Sequence, residues 1–210
     1  ARLQDRPGEL ATAFYGFTEA SSFLAVPAFF GMAAVAPTLI PFLFGDQWHD
    51  AAPVLRMLAF LAPEFVATSM LWMIFTALGR NGMALRLAGA QFGLGAVAAV
   101  VTAPFGLAAL VAGHVVRAYL FSPAIVASAG RIVPVTNGRL VRILTPITLC
   151  AGAMAGLVLL VQSPLDAALG DRFGLFAAIG TGIVAYLGLA WFLMRDTLRT
   201  ALGFFLRRAA

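Results

Sequence analysis

Of the chain's 210 residues 61% are apolar and 11% charged, and the mean hydropathy is +0.94. A soluble domain carries roughly 25% charged residues, so nine acids and fourteen bases cannot cover a water-facing surface this apolar; an ordinary soluble globule, a disordered chain and, with Cys150 as the single cysteine, a disulfide scaffold are all excluded. The formal charge of +5 comes from a surplus of arginine without any lysine, and these arginines are scattered over short loops rather than gathered on one amphipathic element, which points away from nucleic acid.

Residues 1–20 open with Asp5 and Pro7 as a helix-start signal and set Leu10, Ala13, Phe14 and Phe17 on one face, the pattern of a cytoplasmic interfacial helix. The start at Ala1, with no initiator methionine, suggests a piece of a longer protein. Six stretches follow that each supply about 20 mostly apolar residues, enough to cross roughly 30 Å of hydrocarbon. They are Ser22 to Phe44, Pro53 to Leu78, Met83 to Ala103, Leu107 to Ala127, Val141 to Val161 and Phe173 to Met194, here spans a to f. Runs such as Ala96 to Val101 do not alternate as barrel strands must, and backbone in lipid has to satisfy itself, so the expected fold is all-α, a six-span integral membrane bundle over residues 21–195. Short turns rich in Gly, Pro and Asp separate the spans. Residues 196–210 place Leu198, Leu202 and Phe205 opposite Arg199, Arg207 and Arg208, which reads as a basic amphipathic tail lying on cytoplasmic headgroups.

Eleven arginines fall on one side of this layout: Arg2 and Arg6, Arg80 and Arg86, Arg131, Arg139 and Arg142, and Arg195, Arg199, Arg207 and Arg208. The other side has only Arg172 and Arg56, together with Asp46, Asp50, Asp166 and Asp171. Because basic residues are retained in the cytoplasm, both termini are expected there.

Ionisable groups at membrane depth are rare and point to function. At 1.5 Å per residue Glu64 lies about 16 Å below the start of span b, and Arg117 about 15 Å below the start of span d. His114 shares the face of Arg117, while Thr68, Trp72 and Thr76 follow Glu64 at steps of four. Gln91 in span c, beside Gly95, adds a polar group at similar depth. These four, Arg117, Glu64, His114 and Gln91, are the candidate lining of a polar cavity. The plainer alternative is a Glu64–Arg117 pair that only holds spans b and d together. Pro63 stands directly before Glu64 and frees the carbonyl of Ala59, so a bend is expected where the charge sits. Asp46, His49 and Asp50 form a turn with no further ligand near in sequence, and no nucleotide, nucleophile or zinc pattern occurs. No metal, no cofactor and no enzymatic activity are expected.

The stretch Ala36 to Leu58, APTLIPFLFGDQWHDAAPVLRML, ends an apolar helix in a Phe-Gly-acid-x-Trp turn and opens the next with Ala-Pro-x-Leu-Arg. With ARLQD at the start, ALGR at Ala77 to Arg80, PFGL at Pro104 to Leu107 and VRAYLFSP at Val116 to Pro123, it resembles the C-terminal half of bacterial polysaccharide flippases. These belong to the multidrug, oligosaccharidyl-lipid and polysaccharide exporter superfamily. The resemblance implies one lobe of a two-lobe transporter with 12 to 14 spans, sited in the bacterial inner membrane. It implies movement of an undecaprenyl-pyrophosphate-linked oligosaccharide to the periplasmic leaflet, with a missing N-terminal lobe and membrane lipids as partners. In that setting Arg117 would contact the anion, Glu64 would be its resting partner, and His114 and Gln91 would be secondary lining. The alternatives weighed are a lipid II flippase, a drug-extruding relative, a membrane glycan polymerase or ligase, and a non-transporting scaffold; the outer loops are too short to carry a polymerase site.

Overall fold

The computed structural model describes residues 7–193, so the expected amphipathic tail at 196–210 and the first six residues lie outside the described part. Seven α-helices follow one another: α1 (Pro7–Phe44), α2 (Ala52–Ala59), α3 (Ala62–Ala77), α4 (Asn81–Thr102), α5 (Leu107–Ala129), α6 (Asn137–Leu169) and α7 (Asp171–Leu193). Short 3-10 turns at Asp46–Ala51 and Ala103–Phe105 join α1 to α2 and α4 to α5. Five helices are long and apolar enough to cross a membrane, and six spans result when the bent pair α2 and α3 counts as one. The all-α membrane fold expected from the composition is therefore the fold observed, and large apolar side chains such as Phe92, Leu120, Leu160 and Phe192 stand outward, where a bilayer rather than water is the solvent.

Helix α1 contains 38 residues, about 57 Å at 1.5 Å per residue, nearly twice the hydrocarbon thickness. It crosses positions 20 and 21 without a break, so the expected limit between interfacial helix and bundle is not marked by any turn. The turn after it depends on Gly45, whose φ of 90° suits only a residue without a side chain. Gly106, with φ 93°, plays the same part before α5.

Three prolines lie inside α1, and each withholds the N–H that would bond the carbonyl four residues back. Two of the carbonyls so freed are answered from other helices. Tyr186 on α7 donates its hydroxyl to the Phe23 carbonyl, freed by Pro27, at 3.0 Å. Arg56 on α2 donates Nε to the Ala33 carbonyl, freed by Pro37, at 3.1 Å. In lipid no water can do this, so the prolines become points where α1 is tied to its neighbours.

The bend expected at Pro63 is present, at 60° between α2 and α3. Lacking the proline N–H, the chain falls back to shorter bonds, Phe60 N to Met57 O at 3.2 Å and Leu61 N to Leu58 O at 2.9 Å, before Phe65 N resumes the helix on Leu61 O at 2.8 Å. Tyr119 on α5 donates its hydroxyl to the Phe60 carbonyl at 2.6 Å, which pins the break from outside.

The helices pack in the order α7, α6, α1, then α2 with α3, then α5, then α4. One apolar cluster joins the start of α1 (Phe14, Tyr15) to α3 (Leu71, Phe75), α5 (Ile125, Val126) and the following loop (Val133, Val135). A second joins mid-α1 (Val26, Phe30) to α6 (Ile147, Met154) and α7 (Tyr186, Ala190). Arg139 stacks over the Tyr15 ring at 4.0 Å, and the Tyr15 hydroxyl accepts from the Thr136 amide at 2.8 Å, fastening the α5 to α6 loop to α1. Helix α4 stands at the edge with no buried residue, touching α5 and α3.

Candidate functional site

Because α4 leans on the bundle only along α3 and α5, a groove opens between those three helices. It has a volume of about 530 Å³ and is lined by Trp72 of α3, Gln91, Phe92 and Gly95 of α4, and His114 and Arg117 of α5. Three of the four residues expected from the sequence to line a cavity, Arg117, His114 and Gln91, thus meet in one place. Their spacing explains this. His114 and Arg117 are three apart on one helix, hence on one face, and the antiparallel α4 brings Gln91 to the same height.

Arg117 donates Nη1 to the Gln91 backbone carbonyl at 3.2 Å, so α4, the third span, fixes the guanidinium through its main chain rather than through the Gln91 amide. The arginine stem passes Gly95, where a Cβ would rest in ordinary contact at 3.9 Å from Arg117 Cδ and Nε. The Arg117 Nε is buried and makes no hydrogen bond. A guanidinium carries five donors in a fixed fork, and a buried donor without an acceptor is costly. His114 is exposed within it and carries no acid partner among the described residues.

Glu64 behaves differently. It is buried on α3, where its Oε1 and its carbonyl both accept from the Thr68 hydroxyl, at 3.3 and 3.1 Å. It does not line the groove. The direct ion pair with Arg117 considered from sequence is not formed: no Glu64 oxygen lies within 4.0 Å of the guanidinium, although the two charges are near enough to act on each other. Depth along a helix gave their common height, and the carboxylate is engaged instead by Thr68 of its own helix.

Two features escaped the sequence reading. A second part of the groove, about 410 Å³, continues past Trp72 and Ala88 to Thr76, Ala84, Leu85 and Asn81, so the space runs from Arg117 to the turn between α3 and α4. Opposite this, α4 and α5 are shut together, since a Cβ added at Gly113 would lie 2.7 Å from Thr102 Cγ2. The groove is thus closed at the end near Gly106 and open toward Asn81.

Among the described residues no group of three or more His, Cys, Asp or Glu side chains could hold a metal ion. His49 and Asp50 approach to 3.1 Å in the exposed turn after α1, with no third ligand.

Fold and groove together define a multi-pass all-α membrane protein with a polar site set into its helices. Comparison with known proteins gives this a family bearing: residues 1–53 match a family described as polysaccharide biosynthesis protein. A stretch of 58 residues is 31% identical to the lipopolysaccharide biosynthesis protein WzxC of Escherichia coli (strain K12), covering 28% of this chain and 12% of WzxC. The chain therefore matches about an eighth of the length of that relative, and the family match lies in its N-terminal part. No solved structure matches.

Proposed function

We propose that this chain is the C-terminal lobe of a transporter that turns a lipid-linked oligosaccharide, carried on undecaprenyl pyrophosphate, from the cytoplasmic to the periplasmic leaflet of a bacterial inner membrane. The observation that carries the reading is the groove at Arg117: a guanidinium held by a main-chain carbonyl, with an unused buried donor, beside His114, Gln91 and an indole. A pyrophosphate cannot enter some 30 Å of hydrocarbon without compensation, and arginine grips phosphate oxygens two at a time. The likeness of residues 1–53 to polysaccharide biosynthesis proteins supports the glycan as cargo. Arg117 contacts the anion, His114 and Gln91 line its path, and buried Glu64 offsets the arginine's charge from a distance.

The groove has walls on one side only, α3, α4 and α5. A partner lobe supplied by the rest of the same protein closes it, both termini of the present chain lie in the cytoplasm, and no covalent chemistry is involved. Within the whole protein, Arg117→Ala is expected to abolish surface glycan display while the protein remains inserted at normal abundance; Arg117→Lys, lacking the planar fork, restores only part. Normal display by the alanine variant refutes the assignment.

A further inference from the structure

We propose that Arg56 and the crevice beside it form a seat for the phosphodiester of a phospholipid, separate from the groove at Arg117 and independent of the function proposed for it. Arg56 lies one turn into α2, about 6 Å from its start at Ala52. The preceding turn carries Trp48, an exposed indole of the kind that marks the level of the headgroups. The side chain is exposed, and among the described residues no carboxylate lies within 4.0 Å of it. An exposed guanidinium without an acid partner needs a counter-charge, and near the headgroups the anions at hand are phosphates.

Its orientation is set in advance. Nε is engaged by the Ala33 carbonyl at 3.1 Å, a bond available because Pro37 cannot provide one. That anchors the plane of the guanidinium and leaves the two terminal nitrogens, the edge that holds a pair of phosphate oxygens. Next to them runs a crevice of about 220 Å³ walled by Phe30, Ala34, Ala59, Phe60, Ala155 and Leu159. The wall is apolar and its only charge is Arg56 itself. A free phosphate would gain nothing from it, whereas a phospholipid fits both parts, phosphodiester on the arginine and the upper acyl chain in the crevice.

The test uses the chain in phosphatidylcholine nanodiscs doped with photoactivatable phosphatidylglycerol that bears a diazirine high on one acyl chain, with labelled residues mapped by mass spectrometry. A matching diacylglycerol probe lacks the phosphate. Phosphatidylglycerol is expected to label Phe30 and Phe60, and Arg56→Gln to lower that label about tenfold while label at lipid-facing Phe192 stays constant. The diacylglycerol probe should label the crevice no better than Phe192 and ignore the substitution. Leu159→Trp, at a half-exposed position, fills the crevice without touching the arginine and should lower the label several-fold. Crevice labelling that is unchanged by both variants, or equal for the two probes, overturns the proposal.

Discussion

The contact that shuts α4 against α5 gives the sharpest single perturbation. Gly113→Ala would put a Cβ 2.7 Å from Thr102 Cγ2 and 3.2 Å from its Oγ1, about 1 Å short of the ~3.5–4.0 Å at which carbon atoms rest against each other. Thr102 cannot swing aside cheaply, because its hydroxyl donates to the Ala98 carbonyl at 2.7 Å. The helices must separate instead, and overpacking of this kind costs about 1–3 kcal/mol. At about 3 °C per kcal/mol for a chain of this length, tryptophan-monitored unfolding in mild detergent should show a midpoint lowered by roughly 3–9 °C. Thr102→Ala removes the opposing atoms, so the double variant should lie within about 0.5 kcal/mol of Thr102→Ala alone, a coupling expected only of residues in contact. A Gly113→Ala protein as stable as the parent, or one that Thr102→Ala fails to relieve, would show that α4 and α5 do not meet there.

Other outcomes follow from the same structure. Tyr186→Phe leaves the Phe23 carbonyl without its donor in a buried place and should lower stability by about 1–3 kcal/mol, measured by the same unfolding assay; no change would mean another group bonds that carbonyl. Glu64→Gln retains an oxygen for the Thr68 hydroxyl, so abundance should hold, and exchanging the charges of Glu64 and Arg117 should fail to restore transport, since the two are not in contact; recovery of export by the exchanged variant would argue for a direct pair. For topology, cysteines placed at Asp46 and Asp166 should react with an impermeant maleimide from the periplasm and one at Asn137 should not. The native Cys150 is buried and gives little background; the reverse pattern inverts the molecule.

The spans were legible because lipid demands long apolar runs, and the heights of Arg117, His114 and Gln91 because helical rise is constant. Helical spacing also put His114 with Arg117, and Pro63 announced the bend. What could not be read was azimuth between helices. Glu64 and Arg117 share a depth, and the step of four to Thr68 was visible on the same helix, but the gap that keeps Glu64 out of contact with Arg117 was not. The partners of the freed carbonyls were equally hidden, since Tyr186 and Arg56 reach them from other helices. Nor does anything local to Thr102 or Gly113 say that they touch.

Those freed carbonyls bear on how the protein is made. The partner of Ala33 follows it by 23 residues, but the partner of Phe23 follows by 163. At synthesis rates of roughly 5–20 residues per second, Arg56 emerges about 1–5 s after Ala33, whereas Tyr186 emerges roughly 8–33 s after Phe23. For that interval α1 sits in or beside the membrane with an open acceptor that lipid cannot satisfy. Helix α1 is thus completed only once α7, 163 residues further along, has been made.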